Sequence, residues 1–299
     1  MLAPNMSATQ LQLDAVNLLP LMELTAGEPE VVVGLIDGPI DTTHADLAAE
    51  NIRTIPSSTI KSLERGAEAA RTHGTYIAGI IAAKRGSPAP AIAPGCTLLT
   101  RPIFIDPTSG NTEVPSATPG ELADAIVDCV KAGACVLNLS VAIAELSPNK
   151  ETYLERALDY AAERGVLVVV AAGNQGTIGG SAITRHPWTI PVAACDIAGR
   201  PTAATNLGRS TARKGLMAPG DAVTSLGSNG QSVTLGGTSA AVPFVTGAVA
   251  LLWSLFRGAG AAELKVAVTR ADVRRATVVP LRLDAWSTYQ RIENRRGHR

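Results

Sequence analysis

The sequence predicts an α/β fold in which a mainly parallel central sheet lies between layers of helix. Two observations predict it. Short apolar runs rich in β-branched residues alternate with segments of helical periodicity along the 299 residues. The runs are apolar on both faces, as strands are when helices cover both sides of a parallel sheet.

The elements follow in order. Residues 1–30 are expected to form a docked arm or helix covering part of the domain. Val31 to Ile36 (VVVGLI) reads as a buried strand, and Thr72 to Ala83 as a helix capped by Thr72. Thr97 to Ile105 reads as a strand. Pro119 to Gly133 has a Thr118 cap, acids near its start and a terminal glycine, which predicts a helix. Cys135 to Val141 is a strand, Lys150 to Arg164 a helix closed by Gly165, and Gly165 to Gly173 (GVLVVVAAG) a further strand. Thr189 to Cys195 is a short one. Beyond Cys195 the chain turns rich in Gly, Ser and Thr, which predicts short strands and turns. A long helix follows from Thr238 to about Phe256. No linker, repeat or low-complexity block appears, so residues 31–290 read as one domain and 291–299 as a polar, solvated tail.

Composition narrows the function classes. Hydrophobic residues make up 46% and aromatics only 3%, so Ala, Val, Leu and Ile must build the core. Lys+Arg and Asp+Glu both number 26, which lacks the basic footprint of a nucleic-acid binder. No apolar run reaches the ~18 residues of a membrane span. The four cysteines, Cys96, Cys129, Cys135 and Cys195, include no C-x-x-C pair and read as reduced, mostly buried thiols of a cytoplasmic protein. The first basic residue is Arg53, so the apolar Leu18–Met22 stretch lacks the positive flank of a secretory signal.

Three segments carry the chemistry. Asp37 ends an apolar strand, where open α/β sheets place their sites. His73 stands at an expected helix start beside Gly74, which leaves room for the ring to be oriented through one nitrogen and to face a nucleophile with the other. Ser239 follows Gly236-Gly237-Thr238 at the start of the long helix, in a positive local potential and with a backbone N–H able to face an oxyanion. Pro243 early in that helix breaks a local rule, as functional sites tend to do. A fourth residue, Asn174, sits between glycines past a strand end and could supply a second oxyanion donor. Each alone has a plainer reading: a turn or capping acid, a packing histidine, an N-cap serine, a turn asparagine. The other histidines, His44, His186 and His298, read as structural, loop and tail residues.

Together, DGPID (Asp37 to Asp41), HGTYIAG (His73 to Gly79), AAGNQG (Ala171 to Gly176), MAPG (Met217 to Gly220) and GTSAAVP (Gly237 to Pro243) resemble the segments of subtilisin-like serine peptidases, the subtilases, whose acid, base and nucleophile come in this chain order. The resemblance runs from about Val31 to Leu252 and implies a subtilisin-like three-layer sandwich. It implies Ser239 as nucleophile, His73 as base, Asp37 as its orienting acid and Asn174 as oxyanion donor. It also implies a substrate strand at Ser140, Val141 and Ala142, to which an extended peptide would pair, and a first specificity pocket walled by Ala172 and Gly173.

Departures are informative. Pro39 makes the first segment a variant, and TSAA replaces the common TSMA. Both resemble the branch that processes ribosomally made precursor peptides, such as the cyanobactin maturation proteases. Ala142 stands at a family glycine and would narrow the substrate path, and the neutral Gln175 carries no charge preference. Many subtilases bind calcium. Asp46 matches one family ligand, but the loop Lys84 to Ile92 (KRGSPAPAI) offers no Asn or Asp oxygen, so no metal or other cofactor is expected there. No family-sized pro-domain precedes Val31, which fits a cytoplasmic processing enzyme. Two alternatives stand beside a peptidase. One is a silent peptide-binding module on the same fold. The other is a phosphatase-like use of Asp37 and Asp41.

Overall fold

The computed structural model describes residues 6–47, 49–56, 67–103, 116–140, 142–143, 148–270 and 276–297. Two short helices come first, α1 (Ala8–Ala15) and α2 (Leu19–Leu24). Then follow β1 (Val32–Asp37), β2 (Ile52–Thr54), α3 (Ala67–Ala82), β3 (Thr97–Pro102), β4 (Ser116–Ala117) and α4 (Pro119–Lys131). Next are β5 (Val136–Leu139), β6 (Ala142–Ile143), α5 (Pro148–Glu163), β7 (Leu167–Ala171), α6 (Ala182–Arg185) and β8 (Thr189–Cys195). The chain continues through α7 (Arg209–Lys214), β9 (Leu216–Pro219), the hairpin β10 (Val223–Leu226) and β11 (Ser232–Leu235), and α8 (Thr238–Leu255). It closes with α9 (Ala261–Thr269), β12 (Leu281–Arg282) and α10 (Ala285–Gly297).

Eight strands form one sheet in the order β12-β9-β8-β7-β5-β1-β3-β2, every pair parallel. Side chains alternate across it. Val33 and Leu35 of β1, Val136 of β5 and Leu167 and Val169 of β7 join one core with α3 and α8. Ile36, Leu137, Leu139, Val168 and Val170 join a second core with α4 and α5. The result is helix, sheet, helix: the expected three-layer sandwich. From β1 the chain adds strands on one side (β3, β2) and then on the other (β5 onward), so the switch point lies at the carboxyl ends of β1 and β5.

Local signals explain the helix ends. Thr118 accepts the Glu121 N–H while Glu121 reaches back to the Thr118 N–H, a full capping box before α4. Gly133 and Gly165 take positive φ, +88° and +67°, where those helices hand over to strands. The arm docks as α1 and α2, with Leu13, Leu18 and Leu21 buried. Helix α8 is apolar on every side because it is the core helix. Its 18 residues would suit a membrane by composition, yet they are packed inside the fold.

Three expectations change. Helix α3 starts at Ala67, so Thr72 is not its cap; the Thr72 hydroxyl instead meets Ser228 Oγ at 2.7 Å. His73 therefore lies in the second turn, not at the helix start. Residues 291–297, expected as a solvated tail, continue α10 with Ile292 buried.

Candidate active site

Asp37 is the last residue of β1. It shares the parity of Val33 and Leu35, so its side chain faces α3 and α8. It is only 2% exposed. Its Oδ1 accepts the Gly38 N–H at 2.7 Å and lies 2.7 Å from His73 Nδ1. Its Oδ2 is buried without a partner among the described residues. Pro39 explains part of this: an Asp side chain commonly accepts the N–H two residues on, and proline has none.

Two glycines let α3 approach. A Cβ at Gly38 would sit 1.9 Å from the Ala70 carbonyl oxygen, and one at Gly74 would sit 2.4 Å from the Gly38 and Pro39 carbonyl oxygens. Helix and strand-end turn thus meet backbone to backbone. Gly74 makes room for that turn rather than for the imidazole. This close approach carries His73 onto Asp37.

The His73 side chain is 27% exposed. Burial alone would lower its pKa, but the Asp37 charge and hydrogen bond outweigh burial and raise it above the ordinary 6.5. With Asp37 ionised, Nδ1 carries the proton and donates, which leaves Nε2 as a free base. Three residues along α3, Tyr76 donates its hydroxyl to the carbonyls of Val223 (3.0 Å) and Leu235 (3.3 Å), which ties α3 to the hairpin ahead of Ser239.

Ser239 is the second residue of α8. The N-cap is Gly237, at φ +101°, and the first N–H of the helix, that of Thr238, is capped from another segment by Asn174 Oδ1, so Ser239 is not a capping serine. Its hydroxyl makes no hydrogen bond among the described residues; catalytic hydrogen bonds often close only in the substrate complex. Its carbonyl accepts the Ser140 hydroxyl at 3.2 Å. Ser140 directly follows Leu139, the β5 residue that pairs with Ile36, so this bond seats the head of α8 over the crevice that holds Asp37.

Asn174 Oδ1 accepts both the N–H (2.9 Å) and the hydroxyl (3.0 Å) of Thr238. A backbone N–H can only donate, so the amide orientation is fixed and Nδ2 is turned toward Gly237. A Cβ on Gly237 would come 3.0 Å from that nitrogen, so only glycine keeps the space in front of it open. Asn174 thus holds its amide at the N-terminus of α8, against the residue that precedes Ser239.

The remaining predicted residues fall around this centre. Ala172 is buried, with its N–H on the Val192 carbonyl at 2.9 Å. Gly173 takes φ +104°, and a Cβ there would meet Asn206 Nδ2 at 2.3 Å. Ala142 pairs with Ser116 in a short parallel ribbon, so β4 occupies one backbone edge of that segment. Val141 lies outside the described residues. Gln175 is held by Asn206, whose Nδ2 reaches Gln175 Oε1 at 2.6 Å.

Sequence reasoning missed two supporting residues. Thr238 is fully buried and aims Asn174; it stands in the quoted GTS segment, but nothing local distinguished it from a spacer. Asn206 accepts the N–H groups of Gln175 and Thr177 and donates its own N–H to the Gly173 carbonyl at 2.8 Å, so it shapes the whole loop. It lies in an unpatterned Gly/Ser/Thr-rich stretch and left no signal.

Other candidates lie apart. His44 accepts the Asp46 N–H through Nδ1, and His186 pairs with Asp159 at the opposite, amino end of β8. Asp41 is occupied by Thr43 and by the Asn229 N–H, unlike a free phosphatase carboxylate. At the loop Lys84 to Ile92, two side-chain cations bind backbone carbonyls. The Lys84 ammonium takes the Ala45 carbonyl at 2.8 Å, and the Arg85 guanidinium takes those of Met22 (2.5 Å), Thr25 (2.7 Å) and Ile92 (3.3 Å). Carbonyls that could ligate calcium thus already face two side-chain cations. No group of three His, Cys, Asp or Glu residues converges as a metal site among the described residues.

Comparison with known proteins identifies the family. The family model of peptidase S8, the subtilase family, matches residues 28–290. A thermophilic serine proteinase of Bacillus sp. (strain AK1) is 31% identical over 82% of the chain, which spans 57% of that proteinase's length. The solved structure of the prenylagaramide maturation protease PagA superposes with a TM-score of 0.77 at 28% identity, covering 92% of this chain and 98% of that one. The patellamide maturation protease PatA superposes with a TM-score of 0.73 at 27% identity, covering 90% and 98% respectively. The chain belongs to the subtilase family.

Proposed function

We propose that this chain is a serine endopeptidase that processes a precursor peptide. One observation carries the reading: a buried carboxylate 2.7 Å from His73 Nδ1, at the same sheet crevice as a helix-borne serine flanked by a fixed amide donor. Ser239 Oγ attacks the peptide carbonyl while His73 Nε2 takes its proton. The Asn174 amide and the Ser239 N–H hold the oxyanion. His73 then returns the proton to the leaving amine, and water repeats the sequence on the acyl-enzyme. Asp37 holds the imidazole in the productive tautomer and stabilises its cationic form.

Similarity to PagA and PatA, whose structures bear the names of maturation proteases, supports a precursor peptide as substrate. All four cysteines are free, which supports a reducing, cytoplasmic setting. The Lys84 and Arg85 contacts support activity without calcium at that loop.

A fluorophosphonate probe tests the chemistry. The wild-type protein is expected to be labelled and Ser239→Ala not. A folded wild-type protein that stays unlabelled while binding peptides would instead favour the silent module.

A further inference from the structure

We propose that Thr246, Asn138 and Ser140 form a positioning relay that holds the backbone of Ser239. The proposal rests on the reading of Ser239 as the nucleophile. It starts from Pro243. In an α-helix the carbonyl of Ser239 would accept the N–H of residue 243. Residue 243 is proline, which has no N–H and whose ring crowds the carbonyl four residues back. The nucleophile's own carbonyl therefore loses its helical partner and is pressed out of the helical ladder.

The structure supplies a replacement donor from the sheet. Thr246 Oγ1 donates to Asn138 Oδ1 at 2.9 Å, Asn138 Nδ2 donates to Ser140 Oγ at 2.8 Å, and Ser140 Oγ donates to the Ser239 carbonyl at 3.2 Å. All three bonds run the same way, so each donor polarises the next. Thr246 and Asn138 are fully buried and Ser140 is 6% exposed, so water cannot substitute for a missing member. The parity of β5 explains the placement: Val136, Asn138 and Ser140 all face α8, while Leu137 and Leu139 face the opposite core. The relay starts and ends on α8, two turns apart, and passes through a central strand. It locks the first turn of the helix to the sheet at the residue that must hold still.

None of the three touches the reacting atoms through its own side chain, so each acts on position rather than on proton transfer. Thr246→Val keeps the shape and removes the first donor. The second-order rate of fluorophosphonate labelling is expected to fall about tenfold, the scale of one buried hydrogen bond. Its pH profile should not move, because Asp37 and His73 are intact. Thr246→Ser should restore the rate. Val249→Ala, on the same buried helix but outside the relay, should lower the melting temperature without slowing labelling. If Thr246→Val does not fold, Ser140→Ala provides the same test from the other end. Labelling of Thr246→Val at the wild-type rate, or no rescue by serine, overturns the relay alone. A folded wild-type protein that never labels overturns the peptidase reading and the relay's role with it.

Discussion

Replacing Asp37 with asparagine tests the electrostatic half of the site. In many triads the change flips the histidine tautomer and costs about 10⁴ in kcat. Here the outcome should be milder. The Gly38 N–H already donates to Oδ1 at 2.7 Å, so the asparagine must place its oxygen there. His73 Nδ1–H can then still donate to that oxygen, and the amide nitrogen falls at the position of Oδ2, which has no partner to lose among the described residues. What disappears is the charge. Two unit charges about 4 Å apart at an effective dielectric of about 20 interact by about 4 kcal/mol, or roughly 10³ in rate. The burial that now opposes His73 protonation would also act alone, so its pKa should drop below the ordinary 6.5 instead of lying above it. The assay is labelling rate against pH. Wild type should lose activity as pH falls through a value above 6.5, because the base becomes protonated. Asp37→Asn should plateau about 10³ lower and hold its activity to lower pH. An acid limb that stays in place, or a plateau within tenfold of wild type, would refute the argument. Stability provides a second check. Because the folded pKa of His73 is raised, its contribution is present at low pH and is lost as pH rises through that pKa, a dependence the variant should lack.

Asn174→Ala should cost about 10²–10³ in kcat with little change in KM, a magnitude known from subtilisin itself and carried over rather than worked out for this chain. Thr238→Val keeps the backbone N–H on Asn174 but removes the hydroxyl, so steady-state kinetics should show a smaller loss of about tenfold in kcat. Arg85→Ala releases the carbonyls of Met22, Thr25 and Ile92. Because this side chain is partly solvated, the cost should be about 1–2 kcal/mol, seen as a fall of about 2–6 °C in Tm by thermal denaturation. Treating wild type with a calcium chelator should leave Tm unchanged.

Much of the site was legible because its residues sit at element ends that have sequence signatures. β1 announces itself by five apolar residues before Asp37, and α8 by glycines before an unbroken apolar run. Asn174 was legible for the same reason, as the residue just past a β-branched strand. The start of α3 was not: Ala67 to Arg71 continue the helix ahead of Thr72, and a first turn of alanines and one glutamate has no large apolar residue whose spacing would reveal it. The role of Gly38 was hidden as well, since its constraint comes from Ala70, thirty-two residues away in the chain. Asn206 and Thr238 had ordinary turn and cap chemistry, and only their partners make them specific.

The sequence by itself determined the layered α/β architecture, the chain order of Asp37, His73 and Ser239, and the strand end of Asp37 and the helix start of Ser239, but not the place of His73 within its helix. Those depend on local periodicity and on short motifs, which neighbouring residues encode. The tertiary structure decided what supports each of them: the backbone contact that brings His73 to Asp37, the Thr238 bonds that aim Asn174, and the Thr246–Asn138–Ser140 chain that answers Pro243. Each of these is a hydrogen bond or close approach between residues distant in sequence. Its existence depends on sub-ångström placement across the sheet, which no periodicity along a single chain can express.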